Sequence, residues 1–282
     1  MNSPLPKNRS HRLRPMMDAR HFQILYLGSF LLFGLASLGW DLSVKNTLLT
    51  FGIVLAWQSL FIAVGKAHIS SWRSALITGL GLCLLFRAND LTTIVLASSL
   101  AIGSKFFFRF KGKHLFNPAN IGIIGAILLT QDGWISPGQW GSSVVFLFVL
   151  GALGSIVLLR VGRLNTTLTF LLVFVALEYG RTILYLGWSH DVLFHKLSNG
   201  SFLLFAFFMI TDPKTAPDHP IARKLWAIAI AITAFIMSHW LYIHTAPIWA
   251  LFIITPLTAL CDALMKGERF SWTLERLKPH IS

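Results

Sequence analysis

Apolar residues fall in runs along this chain, with polar residues between them. The runs lie at about 22–40, 47–65, 74–86, 91–104, 119–130, 142–159, 164–186, 201–210, 225–243 and 246–264. A helix needs about 20 apolar residues to cross a bilayer. The pattern therefore predicts about ten transmembrane helices, the shorter ones broken, tilted or buried within the bundle. Lipid offers the backbone no hydrogen-bond partner, and helices satisfy themselves. A barrel would show ten-residue segments of alternating polarity instead. The predicted fold class is an all-α membrane protein.

Composition agrees. Of 282 residues, 55% are hydrophobic and 12% charged, with mean hydropathy +0.66, where a soluble domain carries about 25% charged residues. The net charge of +13 raises the possibility of nucleic acid, but most Lys and Arg lie between apolar runs, as membrane loops require. The expected partner is the lipid bilayer, with no nucleic acid. With the N-terminus inside, the inside segments hold 20 basic residues and the outside loops only Lys45, Arg87 and Lys196; the last, Arg181, lies within a span. That asymmetry predicts an integral inner-membrane protein with both termini cytoplasmic.

The expected organisation is a basic cytoplasmic tail (1–21), one transmembrane helical domain (22–264) and a short cytoplasmic C-terminal tail (265–282). The run His21–Trp40 is too long for a signal-peptide core and reads as an uncleaved first helix. Ten spans with both ends inside divide five plus five at the outside loop 131–141. Five spans per half run the halves in opposite directions, as in an inverted repeat. The short third run pairs with the short eighth, and the fifth and tenth begin near Pro118 and Pro247. Paired short segments point to a site at the repeat interface.

Three stretches carry chemistry. Lys105–His114 is basic and aromatic and leads into Asn117-Pro118, an N-cap followed by a residue suited to the first helical turn. Such an end either binds phosphate or merely caps a helix beside lipid headgroups. His195–Phe202 and Thr211–Pro217 flank the short eighth run; Asp212 either lines a site or ends a helix while pairing with Lys214 or Arg223. Glu178 and Arg181 stand at i, i+3 within a span, so they share a face where they can pair. Ionisable groups at such depth mark an ion path or a structural ion pair. Asp262 is placed to reach the interface, and His239 and His244 read as interfacial. Cys83 and Cys261 are the only cysteines, which excludes a disulfide framework and a multi-cysteine zinc site within the chain. There is no Walker loop, GxGxxG, HExxH or CxxC.

Three segments carry a family resemblance. HLFNPANIG (114–122) resembles a signature of the NqrB/RnfD family, the membrane subunits RnfD of Rnf electron-transport complexes and NqrB of the sodium-pumping NADH–quinone reductase. LSNGSFLLFAFFMITDPKTAP (197–217) is similar to that family's second signature, and TPLTALCDAL (255–264) to its terminal helix. The resemblance implies electron transport coupled to ion translocation, a flavin cofactor (FMN or riboflavin), partner membrane or redox subunits, and about ten spans in an inverted repeat. Carried onto this sequence, it implies cofactor binding by Asn117, Pro118, Asn120, Ser198, Ser201, Thr211, Asp212 and Thr215, with Glu178 and Arg181 on the ion path; no catalytic or metal-binding residue is implied. Members that bind FMN covalently carry a flavinylated threonine between the two signatures. None stands between Ile123 and Lys196 here: Thr166 and Thr167 lack that context, and the turn before the second signature reads Ser-Asn-Gly-Ser. The expected flavin is therefore non-covalent. In this the chain resembles short offshoots of the family, including membrane proteins found with enediyne-biosynthesis genes. The alternative is a stand-alone transporter or channel of the same fold.

Overall fold

A computed structural model describes residues 18–37, 40, 42–136, 151, 154–156, 158–159 and 161–270. The N-terminal tail, most of the sixth run and the end of the C-terminal tail fall outside them. The described chain is mostly helical: α1 (Ala19–Ser37), α2 (Val44–Ala63), α3 (Trp72–Leu85), α4 (Leu91–Phe107), α5 (Pro118–Thr130), α6 (Leu164–Tyr179), α7 (His190–Leu197), α8 (Gly200–Leu204), α9 (Pro220–Trp240), α10 (Ala246–Ile254) and α11 (Leu257–Leu264). Two π-helical segments interrupt the pattern, Gly180–Tyr185 after α6 and Phe205–Met209 after α8.

Every apolar run within the described residues is helical, but length separates them. α2, α9 and α6 with its π extension are long and apolar enough to cross a membrane. Two bent pairs add up to two more: α7 with α8 and its π segment (55°), and α10 with α11 (49°). The helices at 69–85, 91–107 and 118–130 are apolar but shorter. Three to five candidate spans are thus seen among the described residues.

Short antiparallel strand pairs tie the helix ends. β1 (Phe86–Ala88) pairs antiparallel with β4 (Gly133–Ile135), joining the C-terminal ends of α3 and α5. Asp132 braces that end by accepting from Asn89 Nδ2 and the Asp90 N–H, both at 2.9 Å. β2 (Arg109–Phe110) pairs with β3 (Lys113–His114) at the opposite end, between α4 and α5. The Lys111-Gly112 turn has positive φ at both residues, 47° and 81°; glycine meets that conformation without strain.

Packing follows the apolar faces. α4 lies against α5, α2 against α3 and α4, α1 against α3, and α9 against α6 and α10. Gly122 allows the α4–α5 approach: a Cβ there would come within 2.6 Å of the Ala97 carbonyl oxygen. The Pro-headed helices α5 and α10, the starts of the fifth and tenth runs, pack together. Asn120 Nδ2 donates to the Ile248 carbonyl across that contact at 2.8 Å. Phe170, Phe174, Phe202 and Phe205 form a ring cluster where α6 meets α8, with centroid separations of 5.1–6.0 Å, in the range where offset and edge-on aromatic pairs attract.

Candidate functional site

Asn117 caps α5 as its sequence predicts, its side chain accepting from the Asn120 N–H at 3.2 Å with Pro118 in the first turn. The same side chain reaches the second signature turn: Asn117 Nδ2 lies 3.4 Å from Asp212 Oδ2 and 3.5 Å from the Met209 carbonyl. Residues 92 and 95 positions away in sequence are thereby brought together.

Between the two turns lies a cavity of about 100 Å³. Its lining along α3 is Ser74, Ile77, Thr78, Gly81, Leu84 and Leu85, spacings that keep to one helical face over about 16 Å. The opposite wall comes from Leu204, Phe207, Phe208 and Met209 on α8 and its π segment. The two short apolar runs of the sequence thus face each other across the cavity. The end near the β2–β3 hairpin is polar, with Arg20, Ser74, His114, Asn117, Thr211, Asp212 and Lys214; Leu27, Leu84, Leu85, Leu158 and Leu204 are among the apolar lining.

The polar end is held by its neighbours. Asp212 Oδ1 accepts the Lys214 N–H at 3.0 Å. Burial raises the Asp212 pKa, while the Lys214 N–H and the charges of Lys105, Lys214 and Lys113 oppose that rise. Lys214 is lowered, first by burial. His114 is lowered from 6.5 to about 3, first by burial and then by the charges of Lys105, Arg109 and Lys214. Its Nδ1 is buried and meets no partner among the described residues. Lys105, 3% exposed, donates to the Ser74 carbonyl and hydroxyl at 3.0 and 3.2 Å. Behind the turn, Lys113 bridges Asp218 at 3.0 Å and Asp262 at 2.7 Å. Asp262 therefore joins the first signature hairpin to the terminal helix rather than reaching out to the interface.

The sequence-derived residues divide. Asn117, Pro118, Thr211 and Asp212 line the cavity; Asn120, Ser198, Ser201 and Thr215 do not. Asn120 ties α5 to α10. Thr215 Oγ1 donates to the Asp212 carbonyl at 3.3 Å. Ser198 and Ser201 sit at the α7–α8 bend, bonded to His195 and Asn199. Arg223 turns from Asp212 to the carbonyls of Pro217 and Asp218. Glu178 and Arg181 meet through His239 rather than directly, so His239 is not merely interfacial. Sequence reasoning missed His114 and Lys105, which it read as parts of a basic loop.

Apolar helices that include membrane-spanning candidates mark an integral membrane protein, and among them lies a partly enclosed, mostly apolar cavity with polar residues of the two signature turns in its lining. The NQR2, RnfD, RnfE family model matches residues 127–271, and the chain belongs to that family. The match covers the second signature and the terminal helix; the first signature precedes it. No curated protein matches the chain.

Proposed function

We propose that the chain is a membrane subunit for electron transport coupled to ion translocation, and that the cavity between its two signature turns holds a flavin non-covalently. The proposed topology has ten spans in a five-plus-five inverted repeat, with both termini and the β2–β3 hairpin cytoplasmic. The observation that carries this reading is the convergence of Asn117 and Thr211-Asp212 on one cavity.

The lining suits part of a flavin. The unpartnered His114 Nδ1 and the Thr211 oxygen, whose own hydrogen goes to the Phe207 carbonyl at 2.8 Å, would suit the hydroxyls of a ribityl chain, and the Lys214 ammonium a phosphate. About 100 Å³ does not enclose three fused rings, since benzene alone occupies an engineered cavity of about 150 Å³, so these residues would hold only the ribityl and phosphate end. When bound, a flavin supplies one- and two-electron transfer. The chain's own part is positional. Asn117 holds Asp212 in place, His114 stays neutral and offers a hydrogen bond without charge, and Lys214 places positive charge at the mouth. Partner redox subunits would exchange electrons with the site, and Glu178 and Arg181 would lie on the ion path.

Purified protein should show flavin absorption, and the flavin should leave on unfolding, so that a denaturing gel is dark under fluorescence. Asp212→Asn keeps shape and removes charge. It should lower flavin retention at least tenfold with normal protein yield, whereas a residue that only ends a helix costs about 1 kcal/mol. Normal retention at normal yield would remove Asp212 from the site, and a fluorescent band would make Thr166 or Thr167 covalent carriers.

A further inference from the structure

Away from the residues that line the cavity, four ionisable side chains from α6 with its π extension, α7 and α9 meet. Glu178 on α6 is fully buried. Its Oε1 accepts from Lys196 Nζ on α7 at 2.7 Å, and His239 Nε2 on α9 lies 3.1 Å from both carboxylate oxygens. Arg181, in the π segment after α6, donates through Nε to His239 Nδ1 at 2.9 Å. Lys196 also donates to Ser238 Oγ at 3.1 Å. These are the charged and titratable groups that face His239: Glu178 and Arg181 from α6 and its extension, and Lys196 from α7. The Phe235 ring covers the imidazole at 4.7 Å, and the Arg181 guanidinium lies 5.7 Å over Trp240.

The bonding dictates the tautomer. A guanidinium has donors and no acceptor, and it keeps its charge. For Arg181 Nε–H to reach Nδ1, that nitrogen must be bare, so the imidazole hydrogen sits on Nε2 and is donated to Glu178. A proton arriving at Nδ1 competes with Arg181 for the same lone pair. One carboxylate against an ammonium and a guanidinium already leaves the cluster one unit positive, so protonating His239 also repels Arg181. Proton uptake and departure of Arg181 are a single event. The π segment places Arg181 at a helical irregularity, a feature frequent at functional sites.

The same charges choose the ion. A metal cation would meet two fixed positive charges and find both Glu178 oxygens already taken by N–H donors. Among the described residues there is no group of three His, Cys, Asp or Glu side chains placed to hold a metal. A proton needs one lone pair.

We propose that Glu178, Lys196, His239 and Arg181 form a proton-binding site, with His239 Nδ1 the acceptor, Glu178 the counter-ion of the imidazolium and Arg181 the group that leaves. The proposal rests on the ion-translocating reading and deepens it by naming the ion.

The test is nitrogen NMR of the whole chain in lipid nanodiscs, labelled at His and Arg, with the His239 signal identified by its loss in His239→Gln. From about pH 8 to about pH 5, across the ordinary histidine range, the neutral ring should be the Nε2–H tautomer at the start. Its protonation should coincide with loss of the hydrogen-bonded Arg181 Nε–H signal, and exchanging choline for sodium should change neither. An Nδ1–H tautomer, an Arg181 signal that survives protonation, or a shift on adding sodium overturns the proposal. Arg181→Met should let the ring populate both tautomers; if that variant does not fold, the wild-type titration alone decides. None of these signals needs bound flavin or electron flow, so a flavin-free protein that gives the coupled transition keeps the proton site while failing the redox reading.

Discussion

Acid should weaken this fold through one imidazole, by an amount the structure sizes. His114 ends the β2–β3 hairpin with Nδ1 buried and unpartnered. Burial, then the charges of Lys105, Arg109 and Lys214, hold its pKa down from 6.5 to about 3. The unfolded chain therefore takes up a proton at this side chain near pH 6.5, and the folded chain only near pH 3. The folded pKa lies below the unfolded one, so the stability at stake is present above about pH 6.5 and is lost as pH falls toward about 3. Each unit within that window is worth up to about 1.4 kcal/mol, so going from about pH 7 to about pH 5 removes about 2 kcal/mol. Asp212 and Asp218 act with the opposite sign. Burial raises both, so the folded state accepts their protons more readily than the unfolded one, and acid stabilises it through them. Those carboxylates are common to the wild type and to His114→Gln, so the difference between the two proteins isolates the imidazole. Denaturant unfolding in detergent at the two pH values should show the wild type losing about 2 kcal/mol more than the variant. Parallel pH profiles would refute the reasoning, because they would mean that His114 is solvated or partnered.

Gly122→Ala should destabilise by about 1–3 kcal/mol in thermal unfolding, because its Cβ meets the Ala97 backbone and α5 must back away from α4. Gly52→Ala, with nothing within 4 Å, should gain up to about 1 kcal/mol from helix propensity, and equal effects at the two sites would contradict the close approach. Topology is checked by single cysteines at the two ends of α5: Asp132→Cys should react with an impermeant maleimide applied from outside and Lys111→Cys should not. The reverse pattern would invert the bundle.

Hydropathy made the helices legible because every segment facing lipid or core must be apolar, and each run within the described residues is helical. It did not make the spans legible. Several helices stop at 13–17 residues, and the breaks at Ser198-Asn199 and Thr255-Pro256 come from capping and bending that composition does not encode. That the short third and eighth runs share a site was readable from their paired lengths, and both line the cavity. Which residues line the cavity was not. Asn120 and Thr215 look as polar as Asn117 and Thr211, and all four donate to backbone carbonyls; rotation about the helix axis and the turn geometry decide that only Asn117 and Thr211 also line the cavity. The i, i+3 spacing placed Glu178 and Arg181 on one face without showing that His239, some sixty residues on, stands between them.

Lys105 and Lys196 show why cationic residues mislead in this class of chain. Both fall at the edges of apolar runs, where a loop cation marking topology is the natural reading. The fold instead carries Lys105 along the last turn of α4 onto Ser74, and Lys196 along α7 onto a carboxylate with no exposed surface. A long aliphatic stem makes this feasible: it packs with apolar neighbours while the ammonium finds oxygen, and in lipid that oxygen must be protein or headgroup. A cation near a membrane surface therefore serves topology or a site according to whether a buried oxygen lies within its reach, which only tertiary structure decides. Taking one lysine from each side of the loop count leaves nineteen inside against two outside. The asymmetry that orients the proposed bundle survives the loss of both lysines, so the orientation does not depend on either and is open to a test of its own.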